Sequence, residues 1–126
     1  MKFIEASALS FEPASHEDPS DPGVLKKVLA TCDHLQKGQV MMVNWAKLPI
    51  GKSFAAHYHE DMQEVFVLVE GRASMEIDGE SFPLAPGDSI IVDPREIHAM
   101  HNEGEQDAHY VVFGISREEG GQTINV

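Results

Sequence analysis

The alternation of apolar and polar residues along most of the chain predicts β-strands. In ASMEID, residues 73–78, apolar side chains occupy every second position, as in a strand with one buried face. Turn signals separate such stretches, and Asp78-Gly79 is the strongest hairpin signal among them. Closely spaced short strands predict an all-β sandwich or small barrel. Longer apolar runs rich in Val, Ile and aromatic residues, which favour strands, cover residues 40–48, 64–71, 89–93 and 108–115.

The N-terminal part of the chain is less regular. Phe3 and Ile4 fit part of an edge strand, and three prolines between residues 13 and 23 predict an extended loop. Residues 24–29 place four apolar side chains on one helical face, but the same stretch also suits a short strand. Periodicity alone leaves both alternatives open.

Length and composition narrow the class of protein. A chain of 126 residues predicts one domain, which we divide into an N-terminal arm with an edge strand, residues 1–39, and a barrel, residues 40–126. There are 21 acidic residues against nine Lys and Arg, so we expect neither a nucleic-acid nor a membrane partner, because both require basic surfaces. The single cysteine, Cys32, excludes an internal disulfide and indicates a reducing cytoplasm. We find neither a secretory signal nor an apolar run long enough to span a bilayer.

The clearest chemistry lies in residues 51–71. Side chains alternate faces in a strand, so His57 and His59 point the same way, with backbones about 6.6 Å apart. Glu64 adds a carboxylate, and this set of donors suits Zn, Fe, Ni or Mn better than Ca. His98 follows an apolar strand and a Pro-containing turn, which makes it the candidate for a fourth ligand.

Other polar residues receive weaker interpretations. Metal-bound histidines need hydrogen-bond acceptors that fix their tautomer, and Gln63 or Asn102 could serve. His101 faces away from His98 in an extended chain, which indicates a surface position. We interpret His109 as a core or surface residue, and Arg95 as a solvated turn arginine rather than an anion-binding group. No function is assigned to the two histidines in polar segments, His16 and His34.

The spacing of these residues resembles the two motifs of the cupin family. The first motif is Gly, five residues, His-x-His, three or four residues, Glu, six residues and Gly, which is matched by Gly51, His57, His59, Glu64 and Gly71. The second motif begins with Gly and ends with His, three residues and Asn, which is matched by Gly87, His98 and Asn102. Asp93-Pro94-Arg95 replaces the Pro-x-Gly that is usual inside the second motif.

The resemblance covers roughly residues 40–115 and implies a single cupin domain. Its fold would be a double-stranded β-helix, or jelly-roll barrel, with one metal ion held by His57, His59, Glu64 and His98. It also favours a strand for residues 24–29. It implies a homodimer formed by strand exchange or sheet packing, with the N-terminal segment contributing.

The reaction is less constrained than the fold. We expect a metalloenzyme of dioxygenase or isomerase type that acts on a small organic acid, phenol, diketone or sugar derivative. One divalent Mn, Fe, Ni or Zn ion per chain would serve it, and Glu64 is the candidate for a catalytic base. The alternatives are a barrel that binds a small molecule without turnover and a barrel that the metal only stabilises.

Overall fold

Strands are the main elements of the fold. The computed structural model describes residues 1–36, 38–117 and 122–126. Within these ranges the elements are a 3-10 helix at Ala6–Ala8 and eleven strands, and no helix there is long and apolar enough to cross a membrane. The strands are β1 (Glu12–Pro13), β2 (Leu25–Thr31), β3 (Val40–Leu48), β4 (His57–His59), β5 (Met62–Glu70), β6 (Ala73–Ile77), β7 (Glu80–Leu84), β8 (Ser89–Val92), β9 (His98–Asn102), β10 (Ala108–Ser116) and β11 (Thr123–Asn125).

The strands form two antiparallel sheets. One sheet has the order β1-β2-β3-β10-β5-β8, and the other has the order β11-β4-β9-β6-β7. From β4 onward the chain passes repeatedly from one sheet to the other, with only the β6–β7 hairpin staying in one sheet. This winding is the double-stranded β-helix, or jelly roll, and it confirms the all-β prediction.

Strict alternation of buried and outward side chains defines the interior between the sheets. Along β5 and β10 every second residue is buried for most of the strand. Leu48 and Leu68 from one sheet meet Met75 and Met100 from the other, and all four are at most 1 % exposed. These side chains fill one part of the interior, and the other part holds the polar cluster described below.

The arm differs in one respect from the sequence-based expectation. The edge strand expected at Phe3 and Ile4 is wrong, because the described backbone there pairs with no strand and the Phe3 side chain is 80 % exposed. An isolated strand without a ladder or a buried face is unstable in water. Residues 25–31 form a strand rather than a helix, as the resemblance favoured, and they pair along β3. The boundary at residue 39 between arm and barrel stays a prediction.

The Asp78-Gly79 hairpin is confirmed. These two residues connect β6 to β7, and their φ angles are +49° and +87°. Positive φ at both central residues is the signature of a type I′ turn, whose twist matches the strands on either side.

Replacing Gly71 with Ala should destabilise the protein by about 2–4 kcal/mol. Gly71 has a φ of +91°, and an added Cβ would lie 2.9 Å from the Cα of Ala108, so backbone strain and a steric clash act together. Gly79→Ala is the matched control, because Gly79 also has positive φ but an added Cβ meets nothing within 4 Å. We expect it to cost about 1–2 kcal/mol. Urea denaturation measures both, and equal losses would contradict the clash at Gly71.

Candidate metal centre

Three strands bring the four predicted ligands together. His57 and His59 lie on β4, Glu64 on β5 and His98 on β9, where His57 and His98 are register partners. One candidate ligand atom from each residue lies within 4.8 Å of those of the other three. All four side chains are buried, at 1 to 6 % exposure. Polar groups this far from water require partners, either hydrogen bonds or a bound cation.

Backbone carbonyls orient two of the imidazoles. The Nδ1 of His57 is 2.6 Å from the carbonyl oxygen of Ala55, and the Nδ1 of His98 is 2.9 Å from that of Glu96. A carbonyl only accepts, so Nδ1 carries the hydrogen in both rings. In the neutral imidazole the lone pair therefore lies on Nε2, which is the atom available to a metal.

The Glu64 carboxylate lies at the centre of the cluster. Its Oε1 is 2.9 Å from the Nε2 of His59 and 3.1 Å from the Nε2 of His98. A neutral His98 would point a lone pair at this oxygen, so a proton or a cation is needed between the two atoms. Separations near 3 Å suit neighbouring ligands that bind one first-row ion at about 2.1 Å. The donor set therefore fits a divalent transition metal.

Burial and neighbouring polar groups shift the pKa values of this cluster. Burial by itself raises the pKa of Glu64, but hydrogen bonds to His59 and His98 outweigh it and hold the pKa at about 2. Burial lowers the pKa of His59, yet its hydrogen bond to Glu64 and the carboxylate charge leave that pKa raised. Burial, helped by His16 and His98, lowers the pKa of His57 to about 3. The carboxylate is thus ionised and His57 neutral at pH 7, as metal ligands must be.

The expected acceptors for the histidines are wrong. Gln63 points away from the cluster and donates to Asp93, because it alternates with Glu64 along β5. Asn102 donates instead to the carbonyls of Leu48 and Gln106. Backbone carbonyls accept the hydrogen bonds of His57 and His98 instead. The hydroxyl of Thr123 lies 3.3 Å from the Nδ1 of His59. Backbone acceptors leave no signal in a sequence.

A cavity of about 190 Å³ borders the cluster. Phe54, Phe66 and Val112 form part of its apolar lining, together with Met and Ala side chains. The polar side chains that line it come from the arm, from the six-stranded sheet and from the C-terminal strand. Besides His57, His59 and Glu64 of the cluster, they are Ser15, His16, Lys26, Asn44, Tyr110 and Thr123.

The arm supplies a residue that sequence reasoning missed. The ring of His16 lies 4.1 Å, centroid to centroid, from the ring of His57. The neighbouring Glu17 fixes the arm in place, because its carboxylate accepts from the backbone N–H groups of Gly23 and Ala55. Forty residues separate His16 from His57, and no local spacing could have linked them.

The remaining candidates lie outside the cluster. His101 is partly exposed at the surface, and His109 stacks on Trp45 on the outer side of its sheet, both in line with the sequence-based interpretation. Arg95 is an exposed turn residue with its Nε 3.4 Å from a carboxylate oxygen of Glu60. Its φ of +70° explains why the family uses glycine here, and its backbone N–H donates to the carbonyl of His59.

Comparison with known proteins agrees with this architecture. The family model of the cupin domain matches residues 44–114. An uncharacterized protein of Methanocaldococcus jannaschii is 28 % identical over 104 residues, which are 82 % of this chain and 79 % of that protein. An oxalate-binding protein of Thermotoga maritima is 31 % identical over 69 residues, which are 55 % of this chain and 57 % of that protein. The crystal structure of a predicted oxalate decarboxylase from Thermotoga maritima, 23 % identical, covers 91 % of this chain and 99 % of its own, with a TM-score of 0.80.

Fold and donor set together define a jelly-roll barrel whose interior holds a site suited to a metal ion. With a family match over more than half of its length, the chain belongs to the cupin family.

The metal-free protein should lose stability as the pH falls from 6.5 to 4.5. In this range the unfolded chain protonates His57 near its ordinary pKa of 6.5, while the folded imidazole resists protonation down to about pH 3. The unfolded state then binds more protons, so the free energy of unfolding falls by up to about 1.4 kcal/mol per pH unit. Glu64 lowers the free energy of unfolding in the same direction only below its ordinary pKa of 4.5. His59, whose pKa is raised, changes the free energy of unfolding only above its ordinary pKa of 6.5.

Urea denaturation at pH 6.5, 5.5 and 4.5 measures this slope in the wild type and in His57→Gln. The variant should show a shallower slope, with a remainder from His16, whose pKa burial also lowers. Identical slopes in the two proteins would contradict the assignment to His57.

Proposed function

We propose that this cupin is a metal-dependent enzyme of dioxygenase or isomerase type. Its substrate is a small organic acid, phenol, diketone or sugar derivative that binds in the cavity. The observation that carries the proposal is the cavity of about 190 Å³ beside the buried cluster of three histidines and one glutamate. Four protein ligands leave open positions on an ion that takes five or six, and the adjoining cavity gives water or substrate access to them. A site that only stabilises a fold is packed over instead.

In this proposal His57, His59, Glu64 and His98 hold one divalent ion, which is Mn, Fe, Ni or Zn. Three neutral ligands and one carboxylate leave about one net positive charge on the site. When bound, the ion supplies Lewis acidity toward a substrate oxygen, and a redox-active ion also supplies electron transfer. The tautomers of His57 and His98, fixed by backbone carbonyls, leave their Nε2 atoms free for this purpose.

The cavity walls orient the substrate and exclude water. Phe54 and Phe66 are each 3 % exposed, and their rings lie 6.2 Å apart and nearly parallel. Both rings also make T-shaped contacts with the ring of His98, so an apolar substrate surface would contact aromatic side chains close to the ligands. Burial raises the pKa of Tyr110 far above its usual value, which keeps its hydroxyl protonated as a hydrogen-bond donor.

A second candidate function is binding without turnover. The similarity to an oxalate-binding protein favours it, since that name describes binding and no reaction. Both functions use the same cavity, and only a measurement of turnover separates them.

We also propose a cytoplasmic protein without a nucleic-acid or membrane partner. The formal charge of −12 argues against a nucleic-acid partner, because a phosphate backbone would be repelled. The single cysteine supports a reducing compartment. Retention of the protein on heparin at physiological salt would contradict the charge argument.

We propose further that two copies pack through the outer face of the six-stranded sheet. The central outward side chains of β3, β5 and β10 are apolar and only half-buried, and they adjoin one another in register. Trp45, Val65, Val67, Val111 and Phe113 make up this face. A continuous apolar face of this kind is unusual on a monomer and typical of an interface.

Metal-loaded protein should turn over at least one member of a panel of small organic acids, phenols, diketones and sugar derivatives. We would load it separately with Fe(II), Mn(II), Ni(II) and Zn(II) and follow dioxygen consumption and product formation. The double variant His57→Ala/His59→Ala should lose both the stoichiometric metal and the turnover, because it removes two of the four donors.

The matched control is His34→Ala/His101→Ala, which removes the same number of histidines from outside the cluster. It should keep one metal per chain and the wild-type rate. One metal per chain in the first double variant would refute the site. Metal-loaded wild type without turnover of any panel member would leave binding as the function.

Val111→Lys should convert a dimer to a monomer, because it places a charge at the centre of the apolar face, between Trp45 and Val67. Light scattering coupled to size-exclusion chromatography measures the mass. Ser81→Lys, at an exposed position on β7 of the other sheet, should remain dimeric. A monomeric wild type would contradict the proposed interface.

A further inference from the structure

We propose that the substrate carries a carboxylate, and that Lys26, Asn44 and Tyr110 bind this group on the cavity wall formed by β2, β3 and β10. The inference rests on the proposed function, because it names the substrate class of the same cavity. It selects organic acids and acidic sugars from the classes given above.

Strand register brings the three residues together. Lys26 on β2 and Tyr110 on β10 are both register partners of Ala46 on β3, so the small alanine lies between them. Asn44 precedes Ala46 by two residues and therefore faces the same side of the sheet. All four residues line the cavity. The methyl group of Ala46 leaves the space above it open to a ligand that Lys26 and Tyr110 reach from either side.

Lys26 differs from the lysine beside it. Lys27 points outward, donates to the carbonyl of Ala6 and lies over the ring of Phe11. Lys26 faces the cavity, and in the described part of the chain no carboxylate lies within ion-pair distance of it. Its register partner on β1 is Glu12, but among the described residues the two side chains form no ion pair. Its ammonium group offers a point charge to an anionic ligand.

The two neighbouring polar groups lack partners as well. The Oδ1 of Asn44 is buried with no hydrogen bond, and the Nδ2 has only the sulfur of Met42 at 3.6 Å. Asn44 is 7 % exposed and Tyr110 3 %, and the Tyr110 hydroxyl has no hydrogen bond to any described residue. Buried polar groups are nearly always satisfied, so these groups are available to hydrogen-bond a ligand in the cavity.

A carboxylate satisfies these groups together. Its oxygens accept from the ammonium of Lys26, the hydroxyl of Tyr110 and the Nδ2 of Asn44. The Oδ1 of Asn44 then accepts from a hydroxyl elsewhere on the substrate. A neutral phenol or diketone would offer the lysine no opposite charge. Lys26 lines the same cavity as His57, His59 and Glu64, so one molecule in that cavity can contact both the carboxylate-binding wall and the metal ligands.

The test compares acids with their uncharged amides on the metal-loaded protein. The pairs are lactate and lactamide, mandelate and mandelamide, and salicylate and salicylamide, with galacturonate and galactose as the sugar pair. Isothermal titration calorimetry measures each affinity. At least one acid should bind, and its neutral partner should bind about tenfold or more weakly, because a charge-assisted hydrogen bond is lost.

Variants assign this preference to its residues. Lys26→Met should weaken binding of the acid by about tenfold to a hundredfold and leave the neutral partner little changed. Lys27→Met makes the same change of charge on the same strand but on the outer face, and it should behave as wild type. Lys26→Arg should restore part of the affinity, while Tyr110→Phe and Asn44→Leu should each lower it by about three- to tenfold.

Metal content, measured on every sample, separates failure of this inference from failure of the proposed function. The inference is overturned if no acid in the panel binds, if acids and neutral partners bind equally, or if Lys26→Met and Lys27→Met lose the same affinity. A wild type that holds no metal would refute the proposed function instead. In that case acid binding by metal-free wild type, compared with Lys26→Met, would still decide the inference.

Discussion

Burial of the Glu64 carboxylate among histidines is the constraint on which the rest of the structure depends. Removing such a charge from water costs several kcal/mol unless positive or donating groups surround it. His59 and His98 meet the carboxylate at hydrogen-bond distance, and their strands must hold register with that of Glu64 to do so. A slip of one residue would turn a whole strand's side chains to the other face and leave the carboxylate without partners. The hydrogen bonds to the Glu64 carboxylate therefore require the same strand register that defines the fold.

The N-terminal arm belongs to the same constraint. Glu17 accepts from the backbone of Ala55, and the carbonyl of Ala55 in turn lies next to the Nδ1 of His57. The arm thus reaches the segment that orients a candidate ligand, while His16 packs its ring on that ligand. Three contacts therefore connect the arm to the orientation of His57: Glu17 with Ala55, Ala55 with His57, and His16 with His57.

The interior is divided by chemistry. Leu48, Leu68, Met75 and Met100 fill one part with side chains that need no polar partner. The other part carries groups that do need partners, and the cavity separates the donor cluster from the side of the six-stranded sheet that holds Lys26. A jelly roll can contain both parts because alternate residues of each strand face the interior. Each inward-facing residue supplies one position of the lining, so a single substitution changes that position alone.

The sequence by itself determined what depends on short-range spacing. The alternation of side chains in a strand put His57 and His59 on one face, the Asp-Gly pair predicted its hairpin, and the repeated turns predicted an all-β fold. The motif spacing then added Glu64 and His98 through resemblance to a family. Each of these follows from local geometry or from a fixed count of residues.

Tertiary structure alone decided the rest. The expected strand at Phe3 and Ile4 is absent because pairing partners, not composition, make a strand. The acceptors for His57 and His98 are backbone carbonyls, which every residue has and which no sequence pattern marks. Lys26 and Tyr110 reach the cavity through the register between strands, which no period along the sequence shows. His16 reaches it because the hydrogen bonds of Glu17 hold the arm in place.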